Sequence, residues 1–383
     1  MHKNDKVVAL ILAAGFSSRM GNFKSLLPLG SDTVIAYTVK HLREAGIDDI
    51  RVVVGHRSEE LMPVLSSLNV MPIFNANYAG EMYVSILTGL RTFSAEAGAF
   101  FLLPCDIPLV KRHTIKAILR KYYSSDAAII YPTFRDERGH PPLITARCFS
   151  DILSWNGPGG LRTVLEKFTF AEVEVADQAV IMDMDTPEDY EIVRNYFAGQ
   201  GIPALLECEA ILKKFKTPSK AIRHGQAVAK VAGGLASHLK AAGLQINGQL
   251  VVAGSLLHDM AKHKVVNHAR RGARMLHSIG YPAVANVVGT HMDLQFKQAD
   301  QVNENALVYL ADKLVMHDQF VGLDIRRENA RNKFAGDSAA LISVEQRMCI
   351  AQIIQDKIFN ALGITNFGEI DLWQEESQWR PCI

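Results

Sequence analysis

Two groups of residues in this chain could do chemistry. The first starts at Leu12-Ala13-Ala14-Gly15 and continues through Phe16-Ser17-Ser18-Arg19-Met20-Gly21-Asn22-Phe23-Lys24. Small residues let backbone N–H groups approach phosphate oxygens, and Arg19 and Lys24 supply charge, so the segment suits a triphosphate. It is neither GxxxxGKS/T nor GxGxxG, which disfavours a P-loop and a dinucleotide fingerprint. The plainer alternative is a glycine-containing turn with two solvated cations. Asp106, within Leu103-Pro104-Cys105-Asp106-Ile107-Pro108, closes an apolar run. An Asp at the carboxyl end of a buried parallel strand lies where such sheets bind ligands, and could hold Mg²⁺ against phosphates. It could equally cap the helix near His113. Asp183 and Asp185 alternate, so on a strand both point one way. A second carboxylate opposite Asp106 would complete a Mg²⁺ site. Thr186-Pro187 beside them reads as an N-cap with proline at the first helical position, and capping alone is the competing use.

The second group is built on histidine. His224 is followed by His258-Asp259 and then Asp312, with His268 and His291 between. Imidazole and carboxylate together suit Mn²⁺, Fe²⁺, Ni²⁺ or Zn²⁺. A lone buried histidine is more often structural. Ordered ligand types within about ninety residues favour a metal centre instead. His238, His263, His277 and His317 fit no role and read as surface or packing residues.

These groups need two different scaffolds. The chain has 383 residues, 48% hydrophobic and 21% charged, which is the mix of a globular protein of two domains. Residues 1–198 carry 20 basic and 23 acidic side chains and residues 199–383 carry 21 and 17, so no global basic footprint for nucleic acid exists. No apolar run is long enough for a membrane span. Five scattered cysteines without CxxC suggest a reducing cytoplasm. In the first half, continuous apolar strands are expected at 7–12, 50–54, 99–103 and 127–131, separated by helices at 34–45, 82–93 and 113–122. That alternation predicts an α/β doubly wound, mostly parallel sheet. Glycines and a proline in 197–203 mark a linker. The second half reads as all-α, with helices at 204–216, 223–242, 249–262, 269–279, 283–290, 304–320 and 345–361. The division is 1–198, a linker and leading helix at 199–214, a helical core at 215–325, and an extension at 326–383. That extension carries no chemical signal beyond Trp373 and Trp379, which read as packing or contact residues.

Residues 12–28 fit LAAG-x-S-x-RMG-x-x-K-x-LLP throughout. With Gly80–Leu90, Asp106-Ile107-Pro108, Gly139–Ile144 and Asp183–Tyr190, they form an ordered set. The set resembles the Rossmann-like nucleotidyltransferase family that includes the molybdenum-cofactor guanylyl- and cytidylyltransferases. The resemblance spans residues 7–198. It implies Mg²⁺-dependent transfer of a nucleotidyl group to a phosphorylated acceptor with release of pyrophosphate. Leu12, Ala13, Ala14, Gly15, Arg19, Lys24, Ser85 and Asp106 would bind the nucleotide. Asp106 and Asp185, preferred over Asp183, would hold the metal, and Arg19 and Lys24 would offset the growing charge. The AlaAlaGly loop looks more like the cytidylyl branch, favouring CTP and molybdopterin. Asn156 and Pro158 depart from that branch and admit a sugar or alditol phosphate acceptor.

The order H…HD…D resembles the HD phosphohydrolase superfamily over residues 215–320. His224, His258, Asp259 and Asp312 match its core ligands. His268 and His291 look like the extra ligands of its dinuclear members, and Lys262 resembles the HD-x-x-K lysine that steadies a phosphate. The resemblance implies a bifunctional cytoplasmic enzyme with metal-dependent hydrolysis, Asp259 and Lys262 being catalytic. An HD domain that only binds nucleotide and regulates the transferase is the alternative. Neither nucleic acid nor membrane is expected as a partner, and a homo-oligomer and molybdoenzyme maturation partners fit the family.

Overall fold

The computed structural model describes residues 5–262 and 267–372. The chain divides into two compact units, Met1–Ala198 and Gly199–Ile383.

The first unit is built on strand β1 (Lys6–Ala13), whose residues from Val8 onward are all buried. An all-apolar strand has to be covered on both faces. After it come a two-strand ribbon, β2 (Pro28–Leu29) and β3 (Asp32–Thr33), and helix α1 (Val34–Glu44). Then follow β4 (Asp49–Val54), α2 (Ser58–Ser67), β5 (Met71–Phe74), α3 (Met82–Leu90), β6 (Ala97–Pro104) and α4 (Arg112–Ser124). The last part holds β7 (Ile129–Phe134), β8 (Glu137–Arg138), β9 (Leu143–Thr145), α5 (Phe149–Ser154), α6 (Gly160–Leu165), β10 (Phe170–Glu174) and α7 (Pro187–Ala198). The sheet order is β10-β7-β9-β6-β1-β4-β5. Its central pairs are parallel, and β9 runs antiparallel to both β6 and β7. The architecture is thus a mixed, mostly parallel α/β sheet.

Close approaches fix this unit. A Cβ on Gly139 would stand 2.3 Å from the Val180 carbonyl oxygen, which already accepts from the His140 N–H at 2.7 Å. A backbone oxygen cannot turn aside as a side chain can. Gly139→Ala is therefore expected to destabilise the first unit by about 1–3 kcal/mol, the usual range for overpacking. A lowered melting transition, with the transition of the second unit unmoved, is the readout.

The second unit is helical. It comprises α8 (Leu205–Lys214), α9 (Ser219–Ala241), α10 (Gly248–Leu257), α11 (His268–Ser278), α12 (Pro282–Thr290) and α13 (Glu304–Leu314). A tiny hairpin, β11 (Val315–Met316) and β12 (Gln319–Phe320), leads to α14 (Gly322–Lys333) and α15 (Ser338–Leu362). Helix α10 buries nearly every residue from Val251 onward, as a helix at the centre of a bundle must. Its neighbours come close at glycines. A Cβ on Gly225 would meet the Leu256 carbonyl oxygen at 2.8 Å, and one on Gly254 would meet Val287 at 2.6 Å. Val228, Val231 and Leu235 of α9 join Leu307 and Leu310 of α13 and Ile354 of α15 in one core.

Four expectations change, the first being that the helix expected over 249–262 stops at Leu257. The helix expected over 304–320 stops at Leu314, because His317 takes a left-handed φ of 59° and turns the hairpin. The helix expected from 345 starts at Ser338, where the Asp337 carboxylate accepts from Ala340 N–H at 3.0 Å. Helix α14, in the extension, was not expected. Trp373, Trp379 and His263 lie outside the described residues.

Candidate functional site

Strand β1 sits between β4 and β6, so the chain leaves it first to one side and then to the other. That reversal opens a crevice beyond the strands' carboxyl ends. Leu12 pairs with Pro104, and the Cys105 N–H donates to the Leu12 carbonyl at 3.1 Å. The loop after β1 and Asp106 therefore emerge side by side. Leu12, Ala13 and Ala14 are buried, while Gly15 is exposed with open space where a Cβ would stand. Ser17 and Gly21 adopt left-handed backbone and turn the loop back, and the Lys24 N–H donates to Ser17 Oγ at 3.4 Å.

Lys24 is the hub of this site. Its side chain is only 10% exposed, and its Nζ lies 2.6 Å from Asp185 Oδ1 and 3.4 Å from Asp106 Oδ2. Arg19, 71% exposed, reaches Asp185 Oδ2 at 2.7 Å. Burial raises Asp106 above the ordinary carboxylate range, and Lys24 pulls it back. Two carboxylates sharing one ammonium offer the hard oxygen donors that Mg²⁺ takes, so the residues fit that ion.

Asp183 does not join them. Residues 182–185 form no strand, and Asp183 is exposed while Asp185 turns inward to Lys24. The alternation argument fails because the chain is already turning into α7. Asp189, three residues past the N-cap Thr186, accepts from the Thr186 N–H at 2.8 Å and the Asp185 N–H at 3.1 Å. The Asp189 N–H donates back to Thr186 Oγ1 at 3.2 Å. This reciprocal cap orients Asp185.

Ser85, on α3, is buried, and Asn75 Nδ2 donates to its Oγ at 2.9 Å. Asn75 is a partner of this candidate residue that the sequence reading missed. The signal was available: an asparagine directly after β5, again at the carboxyl end of a parallel strand.

In the second unit, all six metal-ligand candidates meet. His224, His258 and Asp259 bring ligand atoms within 4.8 Å of one another, and so do Asp259, His268 and His291. Asp312 Oδ1 joins the first set, 3.0 Å from His224 Nε2 and 3.6 Å from His258 Nε2. Asp259 is common to both sets. Its Oδ2 lies 3.5 Å from His258 Nε2, and its Oδ1 lies 3.1 Å from His268 Nε2.

The rings are held from behind by backbone. His224 Nδ1 pairs with the His317 carbonyl at 2.6 Å, His258 Nδ1 with Ser255 at 2.7 Å, and His291 Nδ1 with Val288 at 2.6 Å. A carbonyl partner makes Nδ1 the donor and turns Nε2 toward the cluster. His258 Nε2 is buried with no hydrogen-bond partner among the described residues. A buried ring nitrogen left without a hydrogen bond amid carboxylates and imidazoles fits a divalent transition ion, which would displace its proton.

Charge around the cluster is balanced locally. Burial lowers His291 to about 3, and His258 adds to the effect. Burial works against a charge on His258 as well, but Asp259 and Asp312 outweigh it and raise that ring to about 10. Burial also opposes the two carboxylates, yet their cationic neighbours hold both below the usual range. For Asp259 these include His258 and Lys262, whose ammonium donates to its Oδ2. For Asp312 they include Lys313, buried on α13, with Nζ 2.9 Å from Asp312 Oδ2 and 2.7 Å from the His291 carbonyl. Lys313 also went unread in the sequence, although every residue from Ala306 to Leu314 is buried and a lysine there needs a partner.

The first unit matches the model of the MobA-like NTP transferase domain over residues 9–175, and the second matches the HD domain over 221–317. The molybdenum cofactor cytidylyltransferase of Escherichia coli is 30% identical over 184 residues, covering 47% of this chain and 92% of that protein. The bifunctional protein GlmU of Geobacter sulfurreducens is 29% identical over 139 residues, 36% of this chain but only 29% of that protein's length. Among solved structures, a nucleotidyl transferase from Methanothermobacter is 26% identical, with 50% of this chain and 98% of that one covered at a TM-score of 0.45. The chain belongs to the MobA-like NTP transferases, a family of nucleotidyltransferase enzymes, and matches the HD domain after it.

Proposed function

We propose that the first unit transfers CMP from CTP to a molybdopterin-type phosphate, and that the second hydrolyses a phosphate ester or anhydride. In this reading residues 1–198 are the transferase, 199–214 a linker and leading helix, 215–325 the hydrolase core and 326–383 its extension. The observation that carries the first half is Lys24, joining Asp106 and Asp185 beside a small-residue loop at the sheet's switch point. The AlaAlaGly loop and the cytidylyltransferase relative support CTP over other nucleotides.

The acceptor's phosphate oxygen attacks the α-phosphorus, and pyrophosphate leaves in line. Backbone N–H groups of the loop from Ala13 to Gly15 cradle the phosphates, and Ser85, fixed by Asn75, lines the nucleotide pocket. Arg19 and Lys24 offset the charge that grows on the leaving pyrophosphate. Asp106 and Asp185 would hold Mg²⁺, which when bound offsets phosphate charge as a Lewis acid. In the second unit, His224, His258, Asp259, His268, His291 and Asp312 would hold one or two divalent transition ions, which bring a bound water's pKa to about 7. Lys262 would steady a phosphate at their edge, its exposed ammonium now resting on Asp259.

A thermal-shift series on the full chain with Mg²⁺ and CTP, GTP, ATP or UTP, beside Asp106→Ala, tests the transferase half. Ligand at a hundred times its dissociation constant stabilises by roughly 2.7 kcal/mol. CTP alone is expected to raise the first-unit transition, and Asp106→Ala to remove the rise. A shift with another nucleotide favours the second reading, a sugar or alditol phosphate acceptor. Asn156 and Pro158, exposed in the loop between α5 and α6, support that reading. No shift with any nucleotide defeats both readings.

A further inference from the structure

The HD match ends at residue 317, but the wall of its centre does not. A cavity of about 800 Å³ opens onto His224 and Asp312, and much of its lining comes from α14 and α15. Six cations face it: Lys220 from α9, Lys262, Lys313, Arg326 and Lys333 from α14, and Arg347 from α15. One carboxylate lines it, Asp312, which Lys313 already partners.

Not all of those cations are occupied structurally. Arg326 donates to the Val315 carbonyl at 3.0 Å, and Arg347 pairs with Asp293 at 2.8 Å. Lys220 and Lys333 are exposed and pair with no carboxylate among the described residues. Like charges gathered around a concave surface repel unless an anion offsets them. A single phosphate at the metal cluster would engage Lys262 and leave Lys220 and Lys333 without an anion, Lys333 meeting only the Phe334 ring at 5.2 Å.

Apart from His317 and Asn329, the remainder of the cavity is apolar. Phe334 directly follows α14, Val344 and Met348 lie on α15, and Met292 and Met316 complete that side. Methionine and aromatic walls suit a flat organic group. The volume lies in the upper part of the range for organic ligand pockets, well above what phosphate alone fills.

We infer that the extension makes the HD unit selective for an organic diphosphate, with the scissile phosphate at the metal cluster. The second phosphate lies on Lys220 and Lys333, and the organic group against Phe334 and Met348. This rests on the reading of the second unit as a phosphohydrolase. The hydrolytic step adds water across one P–O bond. The water oxygen bonds to phosphorus, and the bridging oxygen leaves with the electron pair and takes up a proton.

The test uses the full chain and the double variant Lys220→Ala/Lys333→Ala, both sites being exposed and without ion-pair partners. With Mn²⁺ added, phosphate release is followed from CDP, CMP and inorganic pyrophosphate. The double variant is expected to raise the KM for CDP about 10-fold or more, at nearly constant kcat, and to leave CMP unchanged. Calorimetric binding of CDP without added metal, in a Lys24→Ala background that weakens the transferase site, should show the same loss. An unchanged KM for CDP, an equal loss for CMP, or pyrophosphate cleaved as well as CDP would overturn the inference. Should no probe be hydrolysed at all, the phosphohydrolase reading falls, while the binding measurement still decides whether this pocket grips a diphosphate.

Discussion

Asp259→Asn is expected to abolish metal-dependent hydrolysis by the second unit, a loss of several kcal/mol in transition-state stabilisation, or ~10³-fold or more. The reason is its double duty. One oxygen faces His268 and His291, and the other faces His224 and His258. Asparagine keeps the shape but replaces one of these acceptors with an NH₂ donor and removes the charge that Lys262 and the rings share. Both ligand sets lose their common member. His268→Ala touches one set only and should lower bound metal without emptying the site. Metal content by plasma mass spectrometry, beside phosphate release, reads both variants, with nucleotidyl transfer as an internal control that should not change. Full metal content and activity in Asp259→Asn would remove the cluster from the reaction.

Lys24→Ala should cost nucleotidyl transfer about 10²–10³-fold in kcat, the scale for deleting one preorganised charge at a transition state. Arg19→Ala should cost less, about 10-fold, because water screens a side chain 71% exposed. The ordering follows from burial: Lys24 is held between two carboxylates in a nearly closed position, and nothing mobile replaces it. Lys24→Arg should recover little, since a planar fork does not fit a point-charge position. Pyrophosphate release at saturating nucleotide is the measurement. A Lys24→Ala variant within threefold of the parent would leave the loop as no more than a turn.

The sequence made the strands nearest the site legible because they are buried on both faces and so carry unbroken apolar runs. The residues 58–74 were not read. Helix α2 has a proline inside it, and β5 exposes three of its four residues. Neither shows a clean period. The histidine cluster stood out because six candidate ligands, four imidazoles and two carboxylates, in a fixed order rarely arise from packing. Asn75, Lys313 and the cations of α14 were missed for one shared reason. Each acquires its meaning from where the fold places its side chain: Asn75 against Ser85, Lys313 against Asp312 and the His291 carbonyl, and the α14 cations around a cavity that only the folded helices enclose. Asp183 erred the other way, since local alternation suggested a strand where the N-cap of α7 had already redirected the backbone.

Gly225 has a consequence for how this protein can change over generations. Its missing side chain lets α9 touch the backbone of α10, and the adjacent His224 reaches His258 across that contact. Any heritable codon change that adds even a methyl group must wedge the helices apart by several tenths of an ångström, against a carbonyl oxygen that cannot rotate away. The ligands could all remain encoded while their focus is lost. A lineage could therefore silence the second activity through a residue that binds nothing, and a census of metal-binding letters would still count the domain as intact.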